Sequence, residues 1–157
     1  MKRSIRAGFN FGLTSGIITT LGLMVGLNSS TNSKFVVIGG IITIAIADAL
    51  SDSMGMHLAV ESQNRHNTKE IWEATFSTFL FKFVFSALFI IPILILELRK
   101  AVLISVLIGL YLIFTNSLQL ARQQGISARL VIAEHIGLTI IVVIVSHLIG
   151  ACVACIF

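Results

Sequence analysis

The chain has 157 residues, 56% hydrophobic and 11% charged, with a mean hydropathy of +0.99, which excludes an ordinary soluble domain and marks an integral membrane protein. Its net charge of +4 and pI near 9.5 come from basic residues scattered in ones and twos beside apolar runs, so they read as topology signals and exclude a nucleic-acid surface. No phosphate-binding loop, zinc-protease helix, nucleophile elbow or dinucleotide fingerprint occurs, so no enzyme and no resident cofactor is expected, and gradients must supply any energy.

Five apolar segments follow one another at about 8–27, 35–60, 76–98, 101–120 and 130–157. Each reaches the ~20 residues that a helix needs to cross a ~30 Å hydrocarbon core. The gaps between them are too short for a folded domain, so the predicted fold is an all-α membrane protein, one domain of five transmembrane helices. The basic start Lys2, Arg3 and Arg6 precedes an apolar run too long for a signal peptide, and segment one is expected to be a retained helix. With the amino terminus inside, inner connections hold Lys2, Arg3, Arg6, Arg65, Lys69, Arg122 and Arg129, and outer ones hold Lys34, Arg99 and Lys100. That bias predicts a cytosolic amino terminus and an outward carboxyl terminus, in the inner membrane if the cell is bacterial.

Helix one has glycine at 8, 12 and 16 and again at 22 and 26. Glycines four apart line one face and let another helix approach closely, within the chain or across a dimer axis. Asn10, Thr14 and Ser15 lie around that face. Their oxygens either complete a coordination shell or bond back to the preceding turn.

Helix two is the most informative, because IAIADALSDSMGMHLAVESQ places two carboxylates inside a run long enough to cross a bilayer. One ionised side chain at the bilayer centre costs roughly 3 to more than 10 kcal/mol, so Asp48 and Asp52 must face protein, water or a cation. Asp48, Asp52 and Met56 are spaced i, i+4, i+8 and share one face within about 80°. Two hard oxygen donors and one thioether suit Fe²⁺ or Mn²⁺ better than Ca²⁺ or Mg²⁺. Carboxylates in such a place also exchange protons for a metal ion as the site fills. The competing reading is that they only hold helices together, protonated or paired with the embedded Lys82. Glu61, Gln63, His66, Glu70 and Glu73 follow. Glu61 and Glu73 read as pathway lining and cytosolic entrance, His66 and Glu70 as a solvated loop.

Later in the chain, Lys82 and Glu134 lie at similar predicted depth and are expected to neutralise each other. Pro92 predicts a kink in helix three. His135 and His147 do not share a tight face. Cys152 and Cys155 form a C-x-x-C with no second pair, which favours packing over a redox or metal role.

GFNFGLTSGIITTLGLMVGL in helix one, ADALSDSMGMHLAVESQ in helix two and GISARLVIAEHIGLTIIVVIVSHLIG in helix five resemble the vacuolar iron transporter family, including its nodulin-like members. The resemblance implies a homodimer with helix one at its axis, so that Gly8, Gly12 and Gly16 would form the interface and a pathway would run between subunits. It also implies export of Fe²⁺, Mn²⁺ and related ions from the cytosol in exchange for protons. The family's helix-one aspartate would fall at Ser15, and its helix-two methionine and glutamate at Asp52 and Met56, so carboxylate and thioether have changed places. Asp48 adds an acid one turn earlier. The long glutamate-rich cytosolic domain between helices two and three of iron-transporting members is replaced by about a dozen residues.

The expected function is therefore proton-coupled export of divalent transition metal ions, with Asp48, Asp52 and Met56 as metal ligands and Asn10, Ser15 and Glu61 lining the path. The expected partners are a second copy, lipid, metal ions and protons. Two alternatives stand beside it: a non-transporting assembly protein that keeps the fold, and a transporter of another cation.

Overall fold

The computed structural model describes residues 2–63 and 67–156, and these are almost wholly helical. The sequence expectations for Arg65 and His66 fall outside the described residues. In chain order the elements are α1 (Arg3–Thr31), α2 (Lys34–Glu61), α3 (Thr68–Leu88), α4 (Ile90–Ile95), α5 (Leu98–Gln124) and α6 (Ala128–Ile156). Among the described residues, five helical spans are long and apolar enough to cross a membrane, with α3 and α4 together forming the third, Thr68–Ile95. Most of the helices outrun the apolar segments that predict them, because lipid sets only the apolar length and the backbone ladder continues into flanking polar residues, while the third span ends at Ile95.

The helix ends have local causes. Asn67 begins α3 with a capping box: its side chain accepts from the Glu70 N–H at 2.9 Å, and Glu70 Oε2 accepts from the Asn67 N–H at 3.4 Å. Pro92 cannot continue the ladder to the Leu88 carbonyl, so the regular helix stops at Leu88 and resumes at Ile90, with the Phe89 N–H falling back to Ser86 O at 3.3 Å. This is the break that the sequence predicts. Gly125, at φ 67°, closes α5 in the left-handed region.

The contacts divide the chain into two compact units, to both of which α1 and α2 contribute. The first comprises Met1–Thr20 and Ile41–Ile90. Here α1 lies on α3 through Gly8, Gly12 and Gly16. A Cβ at Gly12 would stand 2.7 Å from the Thr78 carbonyl and 2.9 Å from the Lys82 nitrogen, and one at Gly16 would stand 3.0 Å from the Lys82 carbonyl. Phe9 of α1 meets Phe81 edge-on, ring centroids 4.8 Å apart. Of the polar residues of α3 buried in this seam, Thr75 and Thr78 bond back to the Ile71 and Ala74 carbonyls at 2.8 and 2.9 Å, whereas Ser86 donates across it to the Gly16 carbonyl at 3.3 Å. On α2 the inward row is Ile41, Ala45 and Ala49, all buried at four-residue spacing.

The second unit comprises Leu21–Gly40 and Ile91–Phe157. Gly22 and Gly26 admit Val142 and Ser146 of α6, and α6 returns the favour with Gly150, which lies against the Gly26 carbonyl. Lys34 donates to the carbonyls of Leu94 and Leu96, both at 3.2 Å, and so satisfies the end of α4. His135 is hydrogen-bonded to Ser117 at 2.8 Å and His147 to Ser29 at 2.7 Å, so the two histidines serve separate contacts.

Gly8, Gly12 and Gly16, assigned by the resemblance to a dimer axis, are thus occupied by α3 of the same chain. The reason is steric: without side chains, this face accepts backbone, and the α3 backbone is already there.

Candidate functional site

The first unit gathers four polar side chains from three helices at one point. Ser15 comes from α1, Asp48 and Asp52 from consecutive turns of α2, and Lys82 from the middle of α3. The glycines of α1 make the gathering possible, since a close α1–α3 seam places the Lys82 backbone against Gly12 and Gly16, within reach of the α2 face. Lys82 is wholly buried. Its ammonium donates to Asp52 Oδ2 and, at 3.0 Å, to Ser15 Oγ. It also comes within 2.5 Å of Asp48 Oδ2, without the alignment of a hydrogen bond. Ser15 Oγ in turn donates to Asp52 Oδ2 at 2.6 Å. The cluster carries two carboxylates against one ammonium.

The burial is one-sided. The side chains of Asp48 and Asp52 keep 31% and 24% of their exposure, whereas Lys82 keeps 0%. The carboxylates therefore form the rim of the cluster and the lysine its floor.

The expected pair between Lys82 and Glu134 is corrected by this geometry. Lys82 is taken up by Asp48 and Asp52, and Glu134 lies exposed on α6. Two acids one turn apart, presented by a neighbouring helix, offer the ammonium more than a single carboxylate of equal depth.

Met56 is half-buried and lines a separate cavity of about 390 Å³, together with Arg3, Ser4 and Ala7 of α1 and Ala74 of α3. Asn10 is half-buried on α1, and Glu61 is exposed at the end of α2. Glu73, expected at the entrance, is tied to the start of α1: Lys2 pairs with it at 2.5 Å and Ser4 donates to it at 2.7 Å. Glu70 serves the α3 cap. Among the described residues, no group of three or more His, Cys, Asp or Glu side chains converges, so any metal here would rest on the two aspartates with neutral donors beside them.

Two features escape the sequence reading. His57 of α2 is hydrogen-bonded to Thr75 of α3 at 3.0 Å and packs edge-on against Trp72, which fastens α2 to α3 below the carboxylates. The second is a row of small residues along α2, namely Gly39, Thr43, Ala47, Ser51, Gly55 and Ala59, all exposed. A Cβ at Gly39 or Gly55 would meet nothing within 4 Å. The four-residue repeat was legible, but the aspartates one position away dominate that stretch.

Compared with known proteins, residues 8–74 match a family model described as the VIT family. That segment holds α1 from Gly8 onward, α2 and the start of α3, with Ser15, Asp48, Asp52 and Met56 inside it. No curated protein and no solved structure gave a match.

Proposed function

On the premise that the match over residues 8–74 supports, a place in the vacuolar iron transporter family and hence membrane transport of metal ions, we propose that this chain exports divalent transition metal ions such as Fe²⁺ or Mn²⁺ from the cytosol in exchange for protons. One observation carries the reading: Asp48 and Asp52 converge, partly exposed, on a single point inside apolar spans, where carboxylates require a cation. Their oxygens and the Ser15 hydroxyl supply hard donors, and Met56, one turn beyond Asp52 on α2, offers a soft one in a separate cavity. Metal and protons compete for this cluster, whose positive charge without metal is held as an ammonium, and that competition couples the two fluxes.

The proposed unit is a homodimer, with amino termini cytosolic as the basic residues suggest. Since α3 occupies the glycine face of α1, the surface that suits a second copy is the small-residue row of α2, which allows two helices to approach closely. Asp48 and Asp52 lie beside that row in sequence.

The test is reconstitution in liposomes that hold a pH-sensitive dye. Metal addition should drive proton flux in the parent protein, and Asp52→Ala should abolish it with the helical content unchanged. Undiminished flux in Asp52→Ala would remove the site assignment. A second reading is favoured by the complete burial of Lys82 within its ion pairs: a non-transporting protein whose carboxylates are permanently engaged by the lysine. That reading expects no metal binding by the purified protein.

A further inference from the structure

We propose that Lys82 is a tethered substitute for the transported cation, filling the carboxylate site in the resting protein and withdrawing when a divalent ion arrives. The inference rests on the transport reading above and adds to it the residue that sets affinity.

The ammonium has three N–H donors and three oxygens around it: Asp52 Oδ2, Ser15 Oγ and Asp48 Oδ2. These are the same oxygens a small cation would use, so metal and ammonium cannot share them. Charge gives the same answer. Two carboxylates and one ammonium sum to −1, so a divalent ion added beside Lys82 would leave an excess positive charge in a low-dielectric interior, whereas one that replaces it leaves none. The competition is therefore between a freely diffusing dication and a monocation held at high local concentration by its own side chain.

The geometry fixes which part of Lys82 can move. The rim of the site is the partly exposed Asp48 and Asp52, and the lysine enters from the closed side. The Lys82 backbone is fixed against Gly12 and Gly16, so its displacement is a swing of the four-carbon stem and not a movement of α3.

The experiment is titration of the purified full chain with Mn²⁺, free ion being measured by its electron paramagnetic resonance signal. Lys82→Met should bind Mn²⁺ about tenfold or more tighter than the parent, because one nearby positive charge is gone. Lys82→Arg, which keeps the charge, should show no such gain, and Asp52→Asn placed on Lys82→Met should abolish it. A merely structural lysine would not produce tighter binding on removal. Equal or weaker binding by Lys82→Met, with parent binding lost in Asp52→Asn, overturns the tethered-cation role and leaves the transport site standing. No binding by any form overturns both. Should Lys82→Met not fold, Asp48→Asn with Lys82→Met, which keeps the parent's net charge, should bind Mn²⁺ tighter than Asp48→Asn alone, and equal or weaker binding overturns the tethered-cation role.

Discussion

Gly12→Ala probes the contact that assembles the site. The added methyl would stand 2.7 Å from the Thr78 carbonyl oxygen and 2.9 Å from the Lys82 nitrogen. Ordinary contacts lie at about 3.5–4.0 Å, and both neighbours are backbone atoms of α3, which cannot turn aside as a side chain would. The two helices must therefore separate by about 0.5–1 Å, an overpacking that costs about 1–3 kcal/mol. Alanine also returns up to about 1 kcal/mol of helix propensity over glycine, so a control is needed. Gly137→Ala on α6 provides it, since a Cβ there meets nothing within 4 Å and the substitution has only the propensity gain. At about 2–4 °C per kcal/mol for a chain of this size, the melting temperature of Gly12→Ala should fall about 2–12 °C below that of Gly137→Ala. The single tryptophan, Trp72 on α3, reports unfolding by intrinsic fluorescence in detergent. Equal shifts in the two variants would refute the close α1–α3 approach, and with it the reason Lys82 reaches the aspartates.

Two further outcomes test separate parts of the structure. Gly55→Leu, on an α2 face that meets nothing within 4 Å in its own chain, should turn the proposed dimer into a monomer by light scattering while changing the folding stability of the single chain by no more than about 0.5 kcal/mol. A dimer that survives the leucine rules out this face. Asn67→Ala removes the α3 capping box and should cost about 1 kcal/mol, a fall of about 2–4 °C in melting temperature, with Mn²⁺ affinity unchanged. A change in affinity would mean that the start of α3 belongs to the site.

The sequence makes the number and order of the spans legible because each apolar run must reach bilayer length, and it makes the break at Pro92 legible because proline removes a specific hydrogen bond. It also makes legible that Asp48, Asp52 and Met56 share a face, since that follows from helical geometry alone. What it leaves open is which helix that face meets. Depth in the bilayer pairs Lys82 with Glu134, but depth is only one coordinate. The rotation and approach of α3 are set by Gly12 and Gly16, and these bring the lysine to α2. The same holds for the glycines themselves. Four-residue spacing announces a close contact without stating whether the visitor belongs to the same chain. Met56 shows the limit in the other direction: its spacing is right, yet it opens into a cavity lined by the start of α1.

The exchange of an aspartate for serine on helix one, which the family resemblance places at Ser15, becomes a question of charge once Lys82 is in view. With serine the cluster sums to −1, and a divalent ion is compensated only if the lysine leaves. With aspartate it would sum to −2, and the ion would be compensated with the lysine still present. Ser15→Asp should therefore tighten Mn²⁺ binding about tenfold without any change at Lys82. The metal-free protein should melt several degrees lower, because Ser15 Oγ is 2.6 Å from Asp52 Oδ2 and a carboxylate there faces a like charge. Saturating Mn²⁺ should restore the loss, since an ion bound to the folded state alone stabilises it by mass action. Ser15→Asn, of similar size and no charge, should show neither effect. If Asp and Asn at this position behave alike, the balance of charge around Lys82 does not govern metal affinity, and shape or donor type must take its place.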